Sequence, residues 1–170
     1  MSKVYVDRSP IHGEGVFAAL DIKEEEQILQ IDDSRVVTEH NPLHPELGEY
    51  ERHCDYLADG KVVLMQPPEC YINHCCDPNS FVKTVNGVRY VFALRTIPAG
   101  REITYDYCVN GGGDTLWECN CGCERCRHTI HSDFFHLPHL LQLEYLPLLD
   151  DWFVEENKER VEKLLREARA

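Results

Sequence analysis

The chain lacks any excess of positive charge: 17 Lys and Arg stand against 30 Asp and Glu, a formal net charge of -13. Binding to phosphates needs clustered basic residues, so this balance argues against nucleic acid as a direct partner. It suits a basic partner such as a Lys-rich protein segment, and solubility alone is the plainer account of the same charge. Long apolar runs are also missing. No stretch approaches the roughly 20 apolar residues of a membrane-spanning helix. Met1-Ser2-Lys3 leads straight into Val4-Tyr5-Val6 with no apolar segment of the secretory kind, so the expected location is intracellular, either cytoplasmic or chromatin-associated. There is no internal repeat and no low-complexity tract. Cysteine, by contrast, is abundant, with nine in 170 residues. Such clusters in a chain held in a reducing compartment point to metal rather than to disulfides.

The cysteines are spaced like metal ligands. Cys119-Asn120-Cys121-Gly122-Cys123-Glu124-Arg125-Cys126 opens with a C-x-C pair, and Cys126 follows in the same short loop. A closed zinc site wants four ligands in a tetrahedron, and the obvious donor of the fourth is Cys75-Cys76 upstream. Cys123 is an extra thiol that competes with Cys121. His128 and His131 are possible ligands, although surface histidines are the plainer reading. Cys54, Cys70 and Cys108 read as ordinary free thiols. Length and a composition of 43% hydrophobic and 28% charged residues suit one globular domain with a short appendage.

Most of the chain reads as short strands and turns. Val4–Val6 and Val16–Ala19 flank a Gly13-Glu14-Gly15 turn, and Gln27–Val37 has strand-like aliphatic content. Asp59-Gly60 lies between Cys54–Leu57 and Val62–Met65. Asn86-Gly87 lies between Phe81–Val85 and Val88–Leu94, and both pairs are hairpin signals. Pro98-Ala99-Gly100 is a turn before a strand at Ile103–Tyr107. Val109–Asp114 is Gly-rich and reads as mobile. From Phe134 onward leucines and aromatics recur at helical spacing, broken at Pro138 and Pro147. Val154, Val161, Leu165 and Ala168 mark one face of a last helix, with Glu159–Lys163 and Glu162–Arg166 as i,i+4 pairs.

Four segments then line up in order: Ser9-Pro10-Ile11-His12-Gly13-Glu14-Gly15-Val16-Phe17-Ala18, Tyr71-Ile72-Asn73-His74-Cys75-Cys76-Asp77-Pro78-Asn79, Gly100-Arg101-Glu102-Ile103-Thr104-Tyr105-Asp106-Tyr107, and the Cys119–Cys126 loop. Together they resemble the SET-domain protein-lysine methyltransferases with a post-SET zinc loop. The resemblance covers about the first three-quarters of the chain. It implies a mainly β fold of several small curved sheets with a knot-like crossing at the active site, divided as a SET domain (1–118), a post-SET zinc loop (119–127) and a C-terminal helical extension (128–170). It implies S-adenosylmethionine as cofactor, with Gly13, Glu14 and Gly15 in the cofactor loop and Asn73 and His74 as further contacts. Tyr107 takes the place of the catalytic tyrosine and also borders the cofactor. Cys76, Cys119, Cys121 and Cys126 take the places of the structural zinc ligands. Three departures stand out. Cys75 sits where the family commonly has Ser and reads as a small buried hydrophobe. Glu69 and Cys70 occupy the region where the family often carries Arg, which puts one contact to the cofactor carboxylate in question, and Glu25 replaces a usual turn Gly.

The chemistry explains the residue types. Methyl transfer from a sulfonium to an amine is an in-line displacement, so the protein mainly aligns the reactants. A lysine amine must be neutral to attack, and an apolar channel beside a cation favours that form. Tyr107 orients the amine. Tyr105, two residues earlier, would share its strand face and hold a water that limits added methyls, so mono- or dimethylation is expected. Plainer readings stand beside these. The glycines could form a simple turn, the two tyrosines could be packing aromatics, and His74 reads as a structural histidine, with Asn73 the better side-chain contact. Phe134-Phe135 is a candidate lid over the cofactor edge. Two other functions stand beside this one: a non-catalytic module binding a basic protein tail, and a zinc-loop nucleic-acid binder, which the acidic charge opposes. Oligomeric state leaves no mark on the sequence.

Overall fold

The computed structural model describes residues 2–168. Strands β1 (Val4–Arg8), β2 (Glu14–Ala18), β3 (Gln27–Gln30), β4 (Val36–Val37), β5 (Cys54–Tyr56), β6 (Val62–Leu64), β7 (Asn73–His74), β8 (Ser80–Val85), β9 (Val88–Ala93), β10 (Glu102–Tyr105), β11 (Leu116–Glu118) and β12 (Thr129–His131) precede helices α1 (His139–Tyr145), α2 (Asp151–Glu156) and α3 (Lys158–Glu167). The strands form four small sheets with orders β1-β2-β10-β7, β3-β9-β8, β4-β6-β5 and β11-β12. The architecture is mainly β with helices at the C-terminal end, as expected. Among the described residues no helix is long and apolar enough to cross a membrane.

Local chemistry sets the strand boundaries. Asn86 and Gly87 both adopt left-handed backbone (φ 51° and 79°) and close the β8–β9 hairpin as Asn-Gly turns do. Asp59-Gly60 also turns left-handed, but in a longer loop in which the Leu57 N–H donates to the Lys61 carbonyl at 2.8 Å. The expected Gln27–Val37 strand splits in two. The Ser34 N–H donates to Asp32 Oδ1 at 2.9 Å, an aspartate turn that sends β3 and β4 into different sheets. The strand expected at Ile103–Tyr107 stops at Tyr105. There the buried Asp106 leaves the sheet to accept from the Cys108 N–H at 3.0 Å and to pair with Arg127 at 2.8 Å. Val109–Asp114 is tied down rather than loose. The Gly111 N–H donates to the Cys108 carbonyl and the Phe134 N–H to the Gly111 carbonyl, both at 3.0 Å. A Cβ at Gly111 would collide with the carbonyls of Ser132 and Tyr107.

Two apolar clusters hold these pieces. One lies within the sheets, around Val16, Ile22, Val91, Ile97 and Ile103. The other joins the cysteine loop to the C-terminal helices through Cys119, Ile130, Phe134, Tyr145, Phe153, Val161 and Leu164. Burying a side chain such as Phe134 contributes about 1.5–3 kcal/mol. Asp150, buried, fastens this cluster to β8 by accepting from the Thr84 N–H (2.7 Å), the Thr84 hydroxyl (2.8 Å) and Trp152 Nε1 (3.1 Å). The expected last-helix face is corrected. Asn157 breaks the helix at φ -113°, ψ 23°, so Val154 belongs to α2, and α3 buries Val161 and Leu164 while Leu165 and Ala168 stay exposed. Arg166 lies 3.8 Å from Glu162, whereas Lys163 reaches Glu167 at 3.9 Å in place of the expected Glu159 partner. Exposed pairs of this kind add little stability.

Candidate active site

The site forms where residues 72–80 wrap around β10. β7 runs parallel to β10, pairing Asn73 with Thr104 and His74 with Tyr105, and the Cys75 N–H continues the ladder to the Tyr105 carbonyl at 3.1 Å. The same segment then returns. The Asn79 N–H donates to the Thr104 carbonyl at 3.2 Å and the Ser80 hydroxyl to that carbonyl at 2.9 Å. β10 is thereby enclosed by one loop on one side and by β2 on the other, and the residues that follow it are presented beside His74.

Tyr107 is fixed at two points. Its N–H donates to His74 Nδ1 at 3.1 Å and its hydroxyl donates to the Ile72 carbonyl at 2.8 Å. Its ring lies 5.2 Å from both the His74 and Tyr105 rings and 6.2 Å from Trp117. The residue is 41% exposed because it faces open cavities, but burial of the phenol end pushes its pKa up. The hydroxyl therefore stays protonated and acts as a donor rather than a base. The same cause pushes Tyr105 well above the usual tyrosine range. The two tyrosines meet through the bend at Asp106 and not through a shared strand face.

His74 is buried, and desolvation pulls its pKa down to about 4. With Nδ1 accepting from Tyr107, the neutral ring carries its proton on Nε2, which points at Cys76 Sγ, 3.4 Å away. The histidine thus bridges the tyrosine and the cysteine group, as partners outside a metal's ligand set commonly do. The side-chain nitrogen of Asn73 donates to the carbonyls of His12 (3.1 Å) and Glu14 (2.9 Å) and to Glu102 Oε1 (2.9 Å). An amide nitrogen has two hydrogens, so this one is fully engaged in stapling the glycine loop to β10. Only the amide oxygen remains to meet a ligand. Gly13 supplies the left-handed turn at φ 52°, whereas a Cβ at Gly15 would collide with the Glu102 carboxylate. Both glycines therefore have a local structural reason.

Two cavities meet at Tyr107. The smaller, about 210 Å³, is lined by His12, Asn73, His74, Tyr107, Trp117 and the Glu118–Cys121 segment, with Ile11. The larger, about 780 Å³, runs past Cys54, Met65, Tyr105, Tyr107, Gly111 and Trp117 toward Trp152 and Phe153. Tyr107 and Trp117 line both. The aromatic faces and polar groups of the smaller cavity fit a nucleoside-bearing cofactor chemically. Its volume is below the roughly 300–1,000 Å³ of most ligand sites, so such a group fits with part exposed or with the Trp117–Cys121 wall displaced. Gly13, Glu14 and Gly15 do not line this cavity, and Ile11 and His12 do. Sequence reasoning missed Ile11, His12 and Trp117. Trp117 owes its place to the β11–β12 pairing, which matches Trp117 with Ile130.

Beside this site the sulfurs of Cys76, Cys119, Cys121 and Cys126 lie within 4.8 Å of one another. Burial pushes the Cys76 thiol up to about 11 and raises Cys119 as well. Burial also opposes ionisation at Cys121, but hydrogen bonds from the Cys76 and Cys123 main chain outweigh it, so that thiol titrates below the usual range. Four thiolates share so small a volume when a divalent cation neutralises them, and the donor set fits tetrahedral zinc. His128 and His131 are not part of this group. Phe134 is fully buried in the core and Phe135 stacks on Phe153 at 6.0 Å, so neither is a lid.

The SET-domain family model matches residues 13–108. The chain belongs to the SET-domain family. The Drosophila melanogaster histone-lysine N-methyltransferase trithorax is 31% identical over 138 residues, covering 75% of this chain and 4% of its own. Arabidopsis thaliana histone H3-lysine(4) N-trimethyltransferase ATX1 is 32% identical over 144 residues, 74% of this chain and 13% of its own. Caenorhabditis elegans histone-lysine N-methyltransferase mes-4 is 44% identical over 73 residues, 35% of this chain and 8% of its own. The chain therefore spans only a small part of each of these relatives. The departures from the SET pattern have local consequences here. Glu69 is buried and accepts from the Asp32 N–H (3.1 Å) and the Gln66 N–H (3.0 Å), so its carboxylate ties the turn between β3 and β4 to the segment just before it. Glu25 adopts φ 64°, a left-handed conformation that costs a side-chain-bearing residue more than glycine.

Proposed function

We propose that this chain transfers methyl groups from S-adenosylmethionine to the side-chain amine of lysine in a basic protein, with histones the substrate class suggested by the relatives' names. The observation that carries the reading is the position of Tyr107 and Trp117 in the walls of both cavities. A donor held beside Asn73 and His74 and an amine entering past Tyr105 would meet at Tyr107, with the reacting atoms aligned by the walls. When bound, the cofactor supplies an electrophilic methyl group on a sulfonium. Tyr107, its phenol hydrogen donated to the Ile72 carbonyl, would accept an amine N–H on its oxygen and leave the nitrogen lone pair free to face the methyl. The aromatic rings of Tyr105, Tyr107 and Trp117 would exclude water and favour the uncharged amine. Cys76, Cys119, Cys121 and Cys126 would hold a structural zinc that fixes the Trp117–Cys121 wall. The net negative charge of the chain suits a basic target, in a compartment reducing enough to keep the thiols free.

Degree of methylation belongs to the same reading. Among the described residues the Tyr105 hydroxyl has only Met65 Sδ at 4.0 Å as a partner, a weak acceptor, and it lines the larger cavity. It can hold a water where a second or third methyl would go. Mono- and dimethyl-lysine are the expected products, and Tyr105→Phe shifts the distribution upward. Mass spectrometry of a lysine peptide after long incubation reads this directly. Trimethyl-lysine as the main product of the unaltered chain, or an unchanged distribution in Tyr105→Phe, contradicts it.

A further inference from the structure

Cys75 and Cys123 are not used by the four-cysteine group, yet both border it. The sulfurs of Cys75, Cys121 and Cys123 lie within 4.8 Å of one another, so Cys121 belongs to two sulfur groups at once. The local geometry builds this second group. Gly122, at φ +71°, turns the loop so that the Cys121 and Cys123 sulfurs stand on one side, 3.5 Å apart. Cys75 comes from the distant β7 segment, where its N–H bond to the Tyr105 carbonyl (3.1 Å) fixes it. Its neighbour Cys76 turns to the other group, so two consecutive residues feed two sulfur sets. Cys75 is buried, and Cys121 and Cys123 are half-buried.

A disulfide joins two sulfurs, and here three converge. Zinc–sulfur bonds of about 2.3 Å place tetrahedral sulfurs about 3.8 Å apart, within the spread of this group. Soft thiolates select zinc and other thiophilic ions over hard cations. We propose that Cys75, Cys121 and Cys123 hold a second thiophilic d10 cation, zinc in the first instance, with Cys121 as a thiolate bridge to the ion of the four-cysteine site. The inference rests on the reading that Cys76, Cys119, Cys121 and Cys126 bind zinc. Loading the second ion displaces the thiol protons of Cys75 and Cys123 to solvent, with no change of oxidation state. Three protein sulfurs leave one coordination position open to solvent or an added ligand, so this ion exchanges before the enclosed one.

The test is metal stoichiometry of the full chain, prepared anaerobically with reductant and titrated with zinc, read by native mass spectrometry. The unaltered chain takes up two ions, and Cys75→Ser and Cys123→Ser each take up one. Cadmium-113 NMR of the unaltered chain gives a second readout that does not depend on variants folding, because a shared thiolate couples two cadmium resonances to each other. A single zinc, with Cys75 and Cys123 open to alkylation, overturns the proposal and leaves the four-cysteine reading standing. No bound zinc overturns both. A second zinc that persists in both serine variants is bound elsewhere and overturns it. So does a mass lower by two hydrogens, the mark of a Cys75–Cys123 disulfide.

Discussion

Tyr107→Phe lowers kcat by about 100- to 1,000-fold, the range found when one preorganised hydrogen-bonding group is removed from an active site. It leaves S-adenosylmethionine affinity nearly unchanged. The phenol is locked by its bond to the Ile72 carbonyl (2.8 Å), and the backbone beneath it by the bond to His74 (3.1 Å). Phenylalanine keeps the ring, and with it the packing against His74 and Tyr105 (both 5.2 Å), so the cavity wall survives and only the hydroxyl is lost. Single-turnover assays paired with cofactor calorimetry separate the two effects. Turnover equal to the unaltered chain contradicts a catalytic role for Tyr107, and lost cofactor binding shows that its hydroxyl serves the cofactor rather than the amine.

Removing zinc abolishes turnover and exposes the cysteine loop to protease between β11 and β12. The wall of the smaller cavity runs from Trp117 to Cys121, and its last residues are two of the four clustered cysteines. Structural zinc contributes about 10–16 kcal/mol in small metal-bound folds, as much as or more than the roughly 5–15 kcal/mol that holds a whole domain folded. β11 and β12 are only three residues each, so beyond the packing of Cys119 and the ion pairs of Arg125 and Arg127 the loop depends on its metal. A strong chelator, followed by limited proteolysis and a lysine-methylation assay, checks both outcomes, and added zinc restores them. Full activity after complete metal removal separates the loop from catalysis.

The parts of this molecule that were legible in the sequence are those set by local chemistry. Asn86-Gly87 announces its hairpin because few other residue pairs take two left-handed positions in a row. The C-x-C spacing announces a sulfur cluster because metal geometry constrains it. The parts that were hidden depend on distant pairing. Trp117 sits on a strand of three residues, too short for an alternating pattern, and only its partner Ile130 turns it toward Tyr107. The end of β10 at Tyr105 depends on Arg127, 21 residues beyond Asp106 in sequence. Val154 fits the face of the last helix on paper, but Asn157 interrupts the helix and leaves Val154 on α2, while α3 turns Val161 and Leu164 rather than Leu165 to the core. The motif segments holding Asn73, His74 and Tyr107 come together around β10, and the two glycines of the first segment answer to backbone geometry and to Glu102.

Methyl transfer itself separates an enzyme from a binding module. The decisive measurement incubates the full chain, zinc-loaded, with methyl-labelled S-adenosylmethionine and a lysine-rich histone protein, while calorimetry follows cofactor binding in parallel. Label fixed on lysine nitrogen, and lost when the lysines are blocked beforehand, is the predicted result. Cofactor bound tightly with no label on any lysine, under conditions where a known methyltransferase turns over, contradicts it and leaves a binding module in its place.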